Sequence, residues 1–231
     1  MHNKHSMEWR LVMKPIYMGV DIAGAQNTWA CGISTSTDNL EICLPPAIYT
    51  LSQIVNYAED NSVCAVAIDA QLTCSIEEEN GVRSSDLQLK AMLPSDCKSW
   101  VASQNSLAAV PTRGRQLSEA LGPVIGTIIE THPRACLYLA DPAGNLSATK
   151  YYKKPNYDYF LRELFTWWLE HFKFRWDSIR FSEGSLDAIV CATVAYLYHH
   201  DFDKLIRLDH TATNKTGRGP FYVIKPGAFS T

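Results

Sequence analysis

No stretch of this 231-residue sequence is apolar and uncharged over the roughly 18 residues that a membrane-spanning helix requires, so no such span is expected. Basic charge is also scarce. Lys and Arg number 21 against 24 Asp and Glu, a net charge of -3, so a polyanion would have to meet a local basic patch rather than a global field. The seven cysteines, at 31, 43, 64, 74, 97, 136 and 191, are odd in number, scattered and never in a C-x-x-C arrangement. That spacing argues against a disulfide framework or a zinc knuckle and fits a reducing cytoplasm. The G-x-x-x-x-G-K-[ST] phosphate loop is missing, as are internal repeats and low-complexity tracts. Residues 1–14 carry charge without the apolar core of a signal peptide and read as a disordered leader, leaving 15–231 as a single domain with a C-terminal extension.

What is present is the composition of a globular protein, 46% hydrophobic and 19% charged. Three short apolar runs each stop on an acid: Ile16 to Asp21, Val63 to Asp69 and Val124 to Glu130. Short runs bounded by polar residues read as buried strands. Asp21 is followed by a turn-like segment and two further strand candidates, Thr28 to Ser34 and Leu40 to Cys43, so the chain opens as an antiparallel meander. Thr50 and Gln53 have capping-box spacing for a helix to about Asp60. Ser84 or Ser85 caps a short helix ending near Pro94, and Thr112 caps another to Leu121, closed by Gly122 and Pro123. Ser95 to Pro111 has no clear period and reads as a long surface connection able to touch a substrate. Pro133 starts a helix, and Asp158 to Phe172 spaces Leu161, Leu164, Phe165, Trp168 and Phe172 as an apolar stripe. Ser182 or Ser185 caps the helix carrying Asp187. Phe221 to Ile224 reads as a last strand or as a segment packed across the surface. The order implies an α/β fold, a mixed sheet flanked by helices on both faces, in the element order of a ribonuclease H-like domain.

Carboxylates at neighbouring strand ends converge on one rim of a sheet, and a divalent metal is one way to satisfy several at once. Asp21, Asp69, Glu130 and Asp187 are therefore the candidate catalytic and metal-ligating residues. Hard oxygen donors favour magnesium or manganese over zinc. Two such ions about 3.5–4 Å apart can activate water and stabilise the leaving oxygen of a phosphodiester. Acids also commonly end strands because loops begin there, and Asp187 would favour the positive end of a helix in any case.

The chain resembles the DUF429 family of predicted nucleases over most of residues 16–200. The likeness rests on Gly19-Val20-Asp21 with Trp29, Ala67-Ile68-Asp69-Ala70, Arg83-Ser84-Ser85-Asp86, Thr112-Arg113-Gly114-Arg115, Glu130-Thr131-His132-Pro133, Tyr152-Lys153-Lys154 and Leu186-Asp187-Ala188. It implies a ribonuclease H-like fold and phosphodiester hydrolysis. Three features depart from the family's pattern: Gln71 stands where a proline is usual, Ser85 where a cysteine is common, and Gly184-Ser185 precede Asp187 where related nucleases often carry a further acid.

Arg113, Arg115, Lys153 and Lys154 are the local cations available to a phosphate backbone, with Tyr151 and Tyr152 as stacking surfaces. An ordinary solvated face is the plain alternative. His132, two residues after Glu130, is a candidate proton shuttle or outer partner of the site, although Pro133 argues that the strand ends there. The expected protein is a cytoplasmic magnesium- or manganese-dependent nuclease acting on a nucleic acid. Analogy with branched-DNA enzymes of this fold allows a homodimer. The first rival is a nucleic-acid-binding or adaptor module that has lost catalysis. The second is a phosphotransferase of the actin-like ATPase type, for which a single domain lacks room.

Overall fold

The computed structural model describes residues 14–175 and 179–230, so the expected leader lies, apart from Lys14, outside the described residues. Strands β1 (Ile16–Asp21), β2 (Trp29–Ser36) and β3 (Asn39–Ile48) form the antiparallel meander. Helix α1 (Leu51–Asp60) opens with a reciprocal cap: Gln53 N–H donates to Thr50 Oγ1 at 3.2 Å and Thr50 N–H to Gln53 Oε1 at 2.9 Å. The chain continues through β4 (Val63–Asp69), β5 (Cys74–Ser75), α2 (Ser84–Met92), α3 (Ala109–Leu121), β6 (Thr127–Glu130), α4 (Pro133–Ala140), α5 (Leu146–Tyr151) and α6 (Asp158–His171). It ends with β7 (Phe174–Arg175), α7 (Glu183–His200), β8 (Leu205–Leu208), β9 (Lys215–Thr216) and β10 (Phe221–Ile224).

Eight strands form one mixed sheet in the order β7-β3-β2-β1-β4-β6-β10-β8, while β5 and β9 make a separate two-stranded ribbon. Strands β1, β4, β6 and β10 run parallel in the middle; on one side β2 runs against β1 and β3 against β2, and on the other β8 runs antiparallel to β10 at the far edge. Phe221 to Ile224 is thus an interior strand, buried at every residue. Leu205 to Leu208 adds an edge strand too short to show a period.

Side-chain alternation divides the interior in two. Met18, Val20, Val66 and Ile68 face a core shared with Ile54 and Ala58 of α1 and Leu117 and Leu121 of α3. Tyr17, Ala65 and Ala67 face a larger core filled by α7, with α4, α5 and α6 around it. Helix α7 is buried along most of its length, which is why its sequence shows almost no polar side. Gly19 makes this packing possible, because a Cβ there would sit 2.1 Å from Ala188 O and Ala192 N. The helix therefore lies at backbone distance over β1.

Two helix starts differ from expectation. Helix α2 is capped by the residue before Ser84: Asp86 Oδ2 accepts the Arg83 backbone N–H at 3.0 Å. Helix α3 begins at Ala109 rather than Thr112, since Pro111 is tolerated in a first turn whose N–H groups have no partner within the helix. The connection before it carries two short 3₁₀ turns, Ser95–Trp100 and Gln104–Ser106. All seven cysteines are free thiols. No helix among the described residues is long and apolar enough to cross a membrane.

Candidate active site

Asp21 and Asp69 are Cα partners at the ends of parallel strands β1 and β4. Their parity with Tyr17, Ala65 and Ala67 turns both side chains toward α7. Asp187 lies in the first turns of that helix and is wholly buried. Ser182 sets the start of the helix, its Oγ accepting Ser185 N–H at 3.1 Å. Gly184 lets the helix entrance rest on Trp29, where a Cβ would meet the indole at 2.3 Å. Two strands and one helix thus bring Asp21, Asp69 and Asp187 near enough for their charges to act on one another.

The charges there are only partly compensated. Tyr152 Oη donates to Asp187 Oδ1 at 2.8 Å, and Lys153 Nζ donates to Asp187 Oδ2. Neither Asp21 nor Asp69 accepts a hydrogen bond from any described residue. Burial, then Asp187 and Asp69, raise the proton affinity of Asp21 well above the usual carboxylate range. Burial, with the charges of Asp187 and Glu130, pushes Asp69 up to about 7, although Lys153 opposes it. Burial pulls Lys153 down, but Asp187, Tyr152 and Asp21 together hold it above the ordinary lysine range, so its ammonium stays charged. Glu183, one turn before Asp187 on α7, adds a further negative charge felt by Asp21. Sequence reasoning missed this acid; its i, i+4 spacing to Asp187 was the signal that could have found it.

Glu130 does not join this group. Strand β6 pairs with β4 so that Glu130 is opposite Ile68, one residue short of Asp69, and its side chain takes the side of Ile68 and Ile128. There the fully buried Arg83 meets it, Nη2 donating to Oε1 at 2.5 Å and Nη1 to Oε2 at 2.8 Å, while Leu72 N–H donates to Oε2 at 2.9 Å. The same guanidinium donates to both Asp86 oxygens, at 2.7 and 3.1 Å, and to Thr73 O and Oγ1. All five of its N–H groups are engaged. Glu130 is a partner of Arg83, both of its oxygens accepting from the guanidinium and neither turned toward Asp21 and Asp69 by the strand register.

The expected cations also divide. Lys153 sits among the acids, and Tyr152 is buried against Asp187 rather than offering a stacking face. Lys154 is exposed, 4.8 Å from the centre of the Tyr151 ring, beside a cluster in which Tyr151 stacks on Tyr157 at 5.2 Å and Phe160 at 5.4 Å. Arg113 donates through Nε to Ala23 O at 2.9 Å and through Nη2 to Thr28 Oγ1 at 3.3 Å. Arg115 donates to Gln71 O at 3.4 Å and Gln104 Oε1 at 3.3 Å. Both arginines tie helix α3 to the loops after β1 and β4 and so act as positioning residues. His132 caps α4, its Nδ1 accepting Ala135 N–H at 3.3 Å, so its Nε2 carries the proton donated to Trp100 O at 3.1 Å. Burial lowers its proton affinity. With both ring nitrogens committed, His132 has none free to shuttle a proton.

The donor set was tested against a divalent cation. Among the described residues no group of three or more His, Cys, Asp or Glu side chains converges to hold a metal ion. Magnesium, however, is commonly held by one or two carboxylates plus water and substrate phosphates. Asp21 and Asp69 supply two hard, unpartnered donors whose mutual repulsion a cation would relieve. The chemistry of the donors fits that kind of site.

No known family model matches the sequence, and no curated protein matches it. Among solved structures, the human cytomegalovirus terminase nuclease domain is similar over 80% of this chain and 83% of its own length, at 13% identity and a TM-score of 0.22. So distant a likeness carries no weight for the site.

Proposed function

We propose that this chain is a magnesium- or manganese-dependent nuclease on a ribonuclease H-like fold, related to the DUF429 family and acting in the cytoplasm on the phosphodiester bonds of a nucleic acid. One observation carries the reading: Asp21 and Asp69 stand in register at adjoining strand ends, without hydrogen-bond donors and with raised proton affinity. Perturbed acids gathered at one sheet edge are more characteristic of a working site than of a structural one. The contiguous strands β3-β2-β1-β4-β6, a meander joined to parallel strands, support the fold assignment.

In this reading Asp21 and Asp69 hold the cation, and Asp187 lends its charge from the far side, oriented by Tyr152. Once bound, the cation lowers the pKa of water and offsets charge developing on the phosphoryl oxygens. Lys153 reduces the negative charge of the acids, so that a phosphate can approach them. Lys154, with the exposed Tyr157 and Tyr159 beside the half-buried Tyr151, offers a cation and ring faces to the chain leading away from the cut.

Calorimetric titration of manganese into the wild type, Asp21→Asn and Asp69→Asn tests the site without a guess at the substrate. The proposal expects binding by the wild type that each substitution removes, and cleavage of single-stranded or branched substrates lost in parallel. Cleavage retained in full by Asp21→Asn would sink it. Salt-dependent binding of nucleic acid with no metal-dependent product would instead identify an adaptor module.

A further inference from the structure

Beside the acids lies a cavity of about 220 Å³ whose lining includes Asp69, Arg83, Trp100, His132, Arg134 and Lys153. That is below the ~300 Å³ at which pockets begin to enclose a drug-sized molecule. A small anionic group fits such a space; a duplex does not.

The cations of the lining differ in what they have left to give. Every N–H of Arg83 is taken by Glu130, Asp86 and Thr73. Arg134 meets no carboxylate among the described residues. Its Nε donates to Thr149 O at 3.0 Å and its Nη2 to Lys150 O at 3.1 Å, which ties α4 to α5 and leaves Nη1 without an acceptor. Among the described residues, the buried side-chain atoms that lack a partner are Gln71 Oε1, Glu78 Oε2 and Ser85 Oγ. Arg134 Nη1 is not one of them, so this unpartnered donor has open surface. Ring contacts hold the guanidinium in place, with Cζ 4.2 Å from the centre of Trp100 and 5.8 Å from that of Tyr152. Lys153 Nζ lies 5.4 Å from the centre of the same Tyr152 ring. Its side chain is 32% exposed and donates to Asp187 alone, so two of its three N–H groups are spare. His132 lies within the field of both cations. A braced guanidinium with no carboxylate partner, next to an ammonium with open donors, suits a phosphate.

Resting on the nuclease reading, we propose that this cavity receives the terminal phosphate of a nucleic-acid strand, held by Arg134 and Lys153, so that the bond cut at Asp21 and Asp69 lies close to a phosphate-bearing end. A phosphate that ends a strand carries about −1.5 to −2 charge at neutral pH and has a nucleoside on one side only. An internal phosphate carries a single charge and has nucleosides on both sides, for which so small a cavity has no room. Asp69 also borders the cavity, but in the nuclease reading its charge is met by the bound cation. The chemistry is the same for a 5′ and a 3′ phosphate, and separate substrates tell them apart.

The test compares oligonucleotides of one sequence bearing a 5′ phosphate, a 3′ phosphate or hydroxyls at both ends, cut by the full chain in manganese. One phosphate-ended strand is expected to be cut near that end with kcat/KM about tenfold higher than the hydroxyl-ended strand, the difference lying in KM. Arg134→Met should erase the difference. Because Arg134 also ties α4 to α5, Lys153→Met gives a second route to the same loss. Arg175→Gln, which removes an exposed cation from the far edge strand β7, should keep the preference. Equal cleavage of all three strands by the wild type, or a preference that both cavity substitutions leave intact, would overturn the subsite and keep the nuclease. Metal-free calorimetric titration with thymidine dinucleotides, with and without a terminal phosphate, covers a protein that never cuts. Tighter binding of a phosphate-ended dinucleotide that Arg134→Met abolishes would then keep the subsite and remove the nuclease, and equal binding would remove both.

Discussion

Two groups of charge, one buried and one partly exposed, sit at the same end of the sheet and are compensated differently. Around Arg83, one cation meets Glu130 and Asp86, every guanidinium N–H finds an acceptor, and the backbone N–H of Leu72 adds a donor to Glu130. Around Lys153, one cation faces Asp21, Asp69 and Asp187 but donates to Asp187 alone. The first group is complete as it stands and clamps the loop between β4 and α2 to the end of β6. The second has acceptors to spare. Buried charge that is fully paired is explained by the fold, whereas the partly exposed Asp21 and Asp69 keep acceptors open to whatever the protein meets.

The sharpest way to break this comparison is to remove the cation of the complete group. Arg83→Met should destabilise the protein by about 3–5 kcal/mol, read by urea unfolding, because Glu130 and Asp86 are then buried without a counter-charge. A loss below about 1 kcal/mol would mean that water replaces the guanidinium and the group is not a clamp.

The opposite change in the incomplete group should leave the fold standing. Asp21→Asn is expected to lower cleavage by about a hundredfold or more, roughly 2.7 kcal/mol of barrier, while unfolding stability stays level or rises. Glu130→Gln should do the reverse, costing stability but not turnover per folded molecule. If both substitutions abolish cleavage in folded protein, the division between the two groups is wrong.

pH separates them further. Asp69 is pushed up to about 7 by burial in the folded protein, well above the ordinary carboxylate value of 3.8. Between those values the folded protein binds more protons than the unfolded chain, so stability falls as pH rises from about 4 to 7 and levels off above. Three pH units correspond to ~4 kcal/mol at most, and partial exposure reduces the expected decline to the order of 2 kcal/mol. Urea melts in EDTA at pH 5 and pH 7.5 would show it. Asp69→Asn should flatten the decline, and excess magnesium should reverse part of it at the higher pH.

The smallest effect concerns Lys153. Lys153→Met leaves three acids without their cation. Metal-free stability at pH 7.5 should fall by about 1–2 kcal/mol, and apparent manganese affinity should rise by roughly tenfold as the competing charge is removed. Manganese affinity that falls instead would show that Lys153 organises the acids rather than competing for them.

Much of this architecture was legible in the chain. Gly19-Val20-Asp21 and Ala67-Ile68-Asp69 carry both the strand period and the small residues that let α7 settle, so two strand-end acids on one face follow from pattern alone. The place of Glu130 did not follow, because it turns on whether β6 aligns at residue 130 or one residue later, and a run of Ile128 and Ile129 satisfies either register. The split between Lys153 and Lys154 was equally hidden. They are adjacent in a turn after α5 that has no period, and only the position of Asp187 decides which of them is drawn inside. Gln71 and Trp100 lie in connections where the sequence shows polarity and aromaticity but no direction.

By itself, then, the sequence determined the opening meander, the helix caps at Thr50 and Ser182 and the fact that acids end three of the strands, since these depend on short-range periodicity and local hydrogen bonding. Tertiary structure alone decided which acids are left without partners. Pairing between segments 47 to 166 positions apart, Arg83 with Glu130 on one side and Asp21 with Asp187 on the other, is set by strand register and helix packing, which no local pattern encodes.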